Sequence, residues 1–399
     1  MIAHSAKFFR VIAVVLSLIC FCGLSASGQT PTSTQTGLHG PNSPYFPYVQ
    51  GWLGADDAYS VPLGNGKILW LFGDTFVAMP PALKRDASLG FIRNSIAISS
   101  CASQSCTFAY YWPGKTTPHP DSMFVAPGKD WYWPLDGFVY QGTLYIALMQ
   151  MHAEGSGAFG FAFSGVQLAS IANYQADPSK WTIRYQDLNR GGNAVPGVTI
   201  VVNHGPQGNP DPKNPKGADF VYFFTLVQDG VPGPLHTGLL RLPLSELKGA
   251  ARPANKKWEY FRSDSSWAAW PEADSSLPKD HAAVSPGATE MTVRYHDSTK
   301  QWLAVLPAAF GSEAVYSLSP SMTGPWSEAK TLYPYPEMRA GNPNYSNGVF
   351  CYAAKEHVEL EQPGQIFFTY ACNTKDVADV TKNTDLYYPV VVTRPLPTR

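Results

Sequence analysis

Five times along the chain a short run of β-prone, apolar residues returns, and this recurrence limits the possible folds more than any other feature. The runs are Ile68-Leu-Trp-Leu-Phe72, Leu144-Tyr-Ile-Ala-Leu148, Phe220-Val-Tyr-Phe-Phe224, Gln301-Trp-Leu-Ala-Val305 and Gln365-Ile-Phe-Phe-Thr369. Measured from Leu69, Leu144, Val221, Trp302 and Ile366, they are spaced by 75, 77, 81 and 64 residues. Four follow a turn glycine (Gly66, Gly142, Gly217, Gly364), and the run at Gln301 follows Asp297-Ser-Thr-Lys300. Each therefore reads as one arm of a hairpin. Several are trailed by a further strand and then a tryptophan that opens a last one, at Trp181, Trp258 and Trp326. Four strands per unit and five units predict an all-β fold, a five-bladed β-propeller of antiparallel blades. A sandwich or jelly roll of this length has no need of the same order five times. No long segment of helical period is present beyond a turn near Leu244 to Leu247.

Before the first unit, Lys7 and Arg10 precede the apolar run Val11 to Phe21, which gives way to Ser25, Ala26, Ser27 and Gly28. This is the order of a secretory signal peptide. We expect residues 1–28 to be removed, 29–44 to be a polar linker and 45–399 to form a single propeller domain. Such a protein is secreted, to the periplasm or outside the cell, and no later stretch is apolar enough to hold it in a membrane. In an oxidising compartment the four cysteines left after cleavage pair locally, as Cys101 with Cys106 and Cys351 with Cys372. With 29 basic and 30 acidic residues the chain has no field to hold nucleic acid, so its ligand is expected to be neutral. It contains no P-loop, HExxH or GxSxG motif, so no cofactor and no metal is expected. An Asn- and Asp-bearing loop from Asn203 to Asp219 is broken by Pro210, Pro212 and Pro215, against an EF-hand-like calcium geometry. No heptad or long apolar stripe argues for assembly, so a monomer is expected.

The densest chemistry lies in the first hairpin. Gly54-Ala-Asp56-Asp57-Ala-Tyr59 runs into Gly64-Asn65-Gly66 and returns as Lys67-Ile-Leu-Trp70-Leu-Phe72-Gly73-Asp74. A three-residue loop places Asp56 opposite Asp74; a two-residue Asn65-Gly66 turn places Asp57 there. Either way two carboxyls face each other, and like charges at that range raise one pKa. One protonated and one ionised carboxyl are what glycoside hydrolysis requires, an acid for the leaving oxygen and a base or nucleophile for the anomeric carbon.

Gly54-Ala-Asp-Asp-Ala-Tyr-Ser-Val-Pro-Leu63, Leu69-Trp-Leu-Phe-Gly-Asp-Thr75 and Ile92-Arg-Asn-Ser95 together resemble the signature of the domain of formerly unknown function 4185. That domain includes the endo-acting D-arabinofuranosidases of glycoside hydrolase family 183. Glu290-Met-Thr-Val-Arg-Tyr295, Thr323-Gly-Pro-Trp326 and Phe350-Cys-Tyr-Ala-Ala-Lys-Glu-His357 fit the same five-bladed pattern. The resemblance implies a secreted glycosidase whose two essential carboxylates match Asp56 and Asp74. It departs at Asp57, where the family usually carries glycine.

Further residues are expected around the pair. Glu290, at the start of the inner strand of the fourth unit, is the candidate for a third acid. Asp57, Asp136 (in Trp133-Pro-Leu-Asp136-Gly137), Arg93 and Asn94 are candidates for pKa tuning or for sugar hydroxyls. Trp52, Trp131, Trp133 and Tyr345 are candidates for stacking on sugar faces, and His152, His204 and His357 for substrate contact. The expected activity is endo-hydrolysis of a furanosidic polysaccharide such as arabinan or D-arabinan. The alternative is a propeller that binds carbohydrate without cutting it, which would carry about one aromatic and amide site per blade instead of one cluster of acids.

Overall fold

The computed structural model describes residues 45–398 apart from 103–104, 156–159, 204–218, 229–234, 251–256, 272–275, 309–310 and 346–347. The expected signal peptide and linker, His204 and most of the loop from Asn203 to Asp219 lie outside the described residues. The fold is a five-bladed β-propeller. Blade one comprises β1 (Trp52–Gly64), β2 (Lys67–Val77), the short β3 (Phe91–Ile92), β4 (Ser95–Ala102) and β5 (Ser105–Tyr111). Blade two comprises β6 (Trp131–Tyr140), β7 (Thr143–Ala153), β8 (Phe161–Ile171) and β9 (Arg184–Arg190). Blade three holds β10 (Ala194–Asn203), β11 (Phe220–Val227), β12 (His236–Pro243), β13 (Glu259–Phe261), β14 (Trp267–Ala269) and β15 (Ser285–Pro286). Blade four holds β16 (Thr292–His296), β17 (Gln301–Pro307), β18 (Glu313–Ser319) and β19 (Lys330–Pro334), and blade five β20 (Phe350–Glu356), β21 (Gln365–Asn373) and β22 (Val390–Pro395).

Each of the five recurring runs is the second strand of its blade, and each pairs antiparallel with the inner strand before it. The inner strands close a ring: β1 packs on β6, β6 on β10, β10 on β16, β16 on β20 and β20 on β1. Between blades the core is aromatic, with Trp52, Trp70, Trp258 and Trp302 fully buried. Among the described residues the only α-helix is a single short one, α1 (Val377–Lys382), and none is long and apolar enough to cross a membrane. Both expected disulfides are formed. Cys101 and Cys106 sit directly opposite on β4 and β5, and Cys351 and Cys372 on β20 and β21.

The blades are not uniform, as a strict four-strand repeat would require. Among the described residues blade five has three strands, all from the C-terminal end of the chain. A latch joins it to blade one. Arg85, 2% exposed in the turn after β2, donates from Nε to Leu53 O (2.7 Å), from Nη1 to Val380 O (2.5 Å) and Asn383 O (3.2 Å), and from Nη2 to the Tyr48 hydroxyl (2.6 Å) and Tyr387 O (3.0 Å). All five guanidinium donors have acceptors, which a buried Arg needs if it is to leave water. Gly54, at φ +115°, leaves room for it: a Cβ there would lie 2.3 Å from Arg85 Nη2. The segment from Tyr45 crosses the same seam, with its ring on Phe367 and its carbonyl accepting from the Tyr388 hydroxyl.

Candidate functional site

The β1–β2 hairpin carries four register shifts, and the two that compensate on either side of Asp57 decide where its acids point. Its turn is the two-residue Asn65-Gly66, but a shift at Leu63 restores the pairing Val61 with Leu69 and Tyr59 with Leu71 that a three-residue loop would give. Ala55 pairs with Thr75 and Asp57 with Phe72, so Gly73 and Asp74 together face Asp56, and the extra residue is returned at Ala58. Bulges of this kind re-aim side chains. Asp57 and Ala58 take φ of 70° and 68°, a left-handed conformation costing non-glycine residues about 1 kcal/mol or more each. Strict alternation is thereby broken, and the two neighbouring aspartates belong to one charge cluster.

Asp56 accepts from the Tyr352 hydroxyl (2.7 Å) on β20. Burial, then Glu290 and Asp74 as like charges, push its carboxyl up to about 8, against the pull of Tyr352 and Tyr387. Asp74 accepts from Trp133 Nε1 (2.9 Å) on one oxygen and from Arg93 Nη1 (3.0 Å) on the other, and its side chain is 20% exposed. Burial raises its pKa too, with Arg93 opposing. Arg93 is itself spread over the Trp131 ring at 4.2 Å, so blade two positions the cation that holds Asp74. The Tyr387 hydroxyl donates to Asp74 O (3.0 Å), and its carbonyl is one of Arg85's acceptors, so the latch and the acids share a residue. Burial, then Asp56, raise both phenols well above their ordinary value, so they stay donors.

Beneath this pair Lys355, fully buried, donates from Nζ to Asp57 Oδ1 (2.8 Å) and stands 3.7 Å from Glu290 Oε1, over the Tyr59 ring. Burial raises Asp57 well above the carboxylate range, Lys355 opposing. Tyr59 bonds Val198 O (2.6 Å) and receives Met291 N (3.3 Å), which fixes the residue beside Glu290 against blades one and three.

The structure thus brings Asp56, Asp57, Asp74, Glu290, Arg93 and Trp133 into one cluster. Other expected residues have different partners. Asp136 is fully buried, accepting from Gly137 N on Oδ1 and from Thr199 Oγ1, Ile200 N and Arg294 Nη2 on Oδ2, so it clamps blades two, three and four. Asn94 is buried between Phe124 and Tyr132 backbone groups. His357 is held between Ser60 and Thr369, and Trp52 stacks on Tyr110 inside blade one. All four side chains are thus engaged inside the protein and stand apart from the cluster of acids. His152 pairs with Ser164 and Glu154 on blade two, and Tyr345 is exposed in the turn after Asn342. Neither makes a contact with the acids. Sequence reasoning missed Tyr352, Lys355 and Tyr387. The first two lay in the segment Phe350 to His357, which was read only as fitting the five-bladed pattern.

Gly73 has a role of its own: a Cβ there would lie 2.5 Å from Asp56 Oδ1. The end of the Asp56 side chain would move before the backbone does. Gly73→Ala is therefore expected to leave the melting temperature within a few degrees while lowering turnover at least about tenfold by misplacing the acid. Thermal melts and steady-state rates on the same preparation check it.

A protein of Bacteroides ovatus ATCC 8483 described as a "putative hydrolase" shares the fold, with 17% identity, a TM-score of 0.61 and coverage of 86% of each chain. Looser likenesses include the exo-beta-1,3-galactanase of Phanerochaete chrysosporium, at 12% identity and TM-score 0.45 over 86% of this chain and 61% of that one. The GH43_1 enzyme of Xanthomonas citri aligns at 11% identity and TM-score 0.39 over 91% and 92%. At such identities the likeness is one of fold. No curated protein matches the sequence. The model of the family described as "Domain of unknown function (DUF5005)" matches residues 42–195 and 249–393. Most of the sequence is covered by that match, and the chain belongs to the DUF5005 family.

Proposed function

We propose that the protein is a secreted glycoside hydrolase, endo-acting on a furanosidic polysaccharide of the arabinan or D-arabinan kind, with Asp56 and Asp74 as its carboxyl pair. The observation that carries this reading is the asymmetry between two facing aspartates. Asp74 is held by a guanidinium and an indole N–H, donors that favour a carboxylate, while Asp56 has phenol donors and like-charged neighbours. The proton the two carboxyls share belongs on Asp56. Asp56 is then the general acid that protonates the glycosidic oxygen, and Asp74 is the base or nucleophile directed at the anomeric carbon. Glu290 adds negative charge that keeps Asp56 protonated. Two disulfides support an oxidising compartment. The acids gather at one place in the ring instead of recurring blade by blade, which favours cleavage over a purely binding propeller.

The test is release of oligosaccharides from a panel of L-arabinan, D-arabinan, xylan and fructan, followed across pH. One polymer should be cut, with a rate that falls as pH rises through about 8, where Asp56 loses its proton. A polymer that is bound by the protein and never cut would make it a binding module. Tyr352→Phe removes a donor that stabilises ionised Asp56, so its alkaline limb is expected to move to higher pH. A limb that stays in place would take the acid role away from Asp56.

A further inference from the structure

The end of β16 away from Glu290 carries a second cluster of ionisable groups that the proposed chemistry leaves unused. His296, the last residue of β16, contacts Glu356, the last of β20, through Nε2 to Oε1 at 2.7 Å. Its Nδ1 stands 3.8 Å from Oε2 of Glu361, in the loop leading to β21. All three side chains are largely enclosed, at 7%, 0% and 13% exposure. Of the other charged groups that act on this region, Arg294 is committed to Asp136 and Lys355 to Asp57, while Glu359 adds a further negative charge. Two observations set the cluster apart from an ordinary buried ion pair. Glu356 Oε2 is buried with no donor, as is Glu359 Oε1. A carboxylate taken out of water is usually given donors on both oxygens or a cation. One imidazole nitrogen and two carboxylate oxygens, from His296, Glu356 and Glu361, also lie within 4.8 Å of one another.

We infer that His296, Glu356 and Glu361 form a divalent-cation site that ties blade four to blade five. An imidazole with two carboxylates is a donor set for borderline or hard divalent ions, and a cation among them would give Glu356 Oε2 the partner it lacks. The site is distinct from the Asp56 and Asp74 pair, and its role is to brace the ring beside the seam.

The experiment uses the whole purified protein. After dialysis against EDTA, calcium, manganese and zinc are added back singly, with metal content read by elemental analysis and stability by thermal melting. The expected result is about one equivalent of one cation retained and a melting temperature raised by about 3–5 °C at a hundredfold excess over Kd. Glu361→Gln, at the most exposed of the three positions, should fold as well as the wild type in EDTA while losing at least about tenfold in cation affinity. Wild-type protein that retains no metal and shows no shift with any of the three cations overturns the proposal. So does a Glu361→Gln variant that binds as tightly as wild type. The wild-type measurements stand even if the variant does not fold, and they are independent of any hydrolytic activity.

Discussion

Asp74→Asn and Asp56→Asn are each expected to lower hydrolysis of the polymer that proves to be the substrate by a factor of about 10³ or more, with the fold intact. At Asp74 the loss is of a negative charge that Trp133 Nε1 and Arg93 Nη1 hold in place. At Asp56 it is of a proton whose carboxyl has been raised to about 8 by burial and by Glu290 and Asp74. The Asp56 variant carries a second expectation that separates chemistry from structure. A carboxyl raised in the folded state binds its proton more tightly there than in the unfolded chain. Stability therefore falls as pH rises from its unfolded value near 4 toward 8, and the full cost is present above that. Asparagine has no such cost. The inactive variant should thus melt above wild type at pH 9, and the difference should shrink toward pH 4. Steady-state rates with melts at both pH values read the two effects together. Full activity in both variants would remove the carboxyl pair from the mechanism.

Arg85→Met is expected to be the most damaging single change to stability away from the acids. It leaves Leu53 O, Val380 O, Asn383 O, Tyr387 O and the Tyr48 hydroxyl without their donor. Each buried acceptor so orphaned costs about 1–3 kcal/mol, set against the relief of no longer burying a guanidinium, for a net loss of about 3–5 kcal/mol. A fall in melting temperature of roughly 4–7 °C follows. Lysine should not rescue it, since three donors on one nitrogen cannot reach acceptors arranged around a planar fork. Because Tyr387 also bonds Asp74 O, turnover should fall even below the melting range. A melting temperature within about 1 °C of wild type would show that the aromatic packing of Tyr45, Phe46 and Tyr48 closes the ring without the latch.

What could be read in the sequence was local. The second strand of each blade pairs with the strand just before it, so turn glycines and apolar runs were enough to count blades. Cys101 and Cys351 have their partners directly opposite within one hairpin, which made both disulfides legible. Asp56, Asp57 and Asp74 were visible for the same reason, being two arms of one hairpin. Their orientation was not, because it depends on Asp57 and Ala58 adopting a left-handed backbone that neither residue type announces. Tyr352, Lys355 and Tyr387 come from the other end of the chain, as do most acceptors of Arg85, and no local pattern reports a partner some three hundred residues away. Asp136 misled for the converse reason. An acid near the axis looks alike whether it faces a ligand or an arginine, and only Arg294 and Thr199 decide it.

The seam between the first and last blades has a consequence in time. Both candidate acids are made early in synthesis, but the hydroxyls that bond to them, on Tyr352 and Tyr387, belong to the blade made last. A nascent or truncated chain ending before residue 387 carries the acids without the environment that sets their protonation. Catalytic competence would then arrive in one step, when the final strands dock, and an incomplete product would be inert and not a slower enzyme.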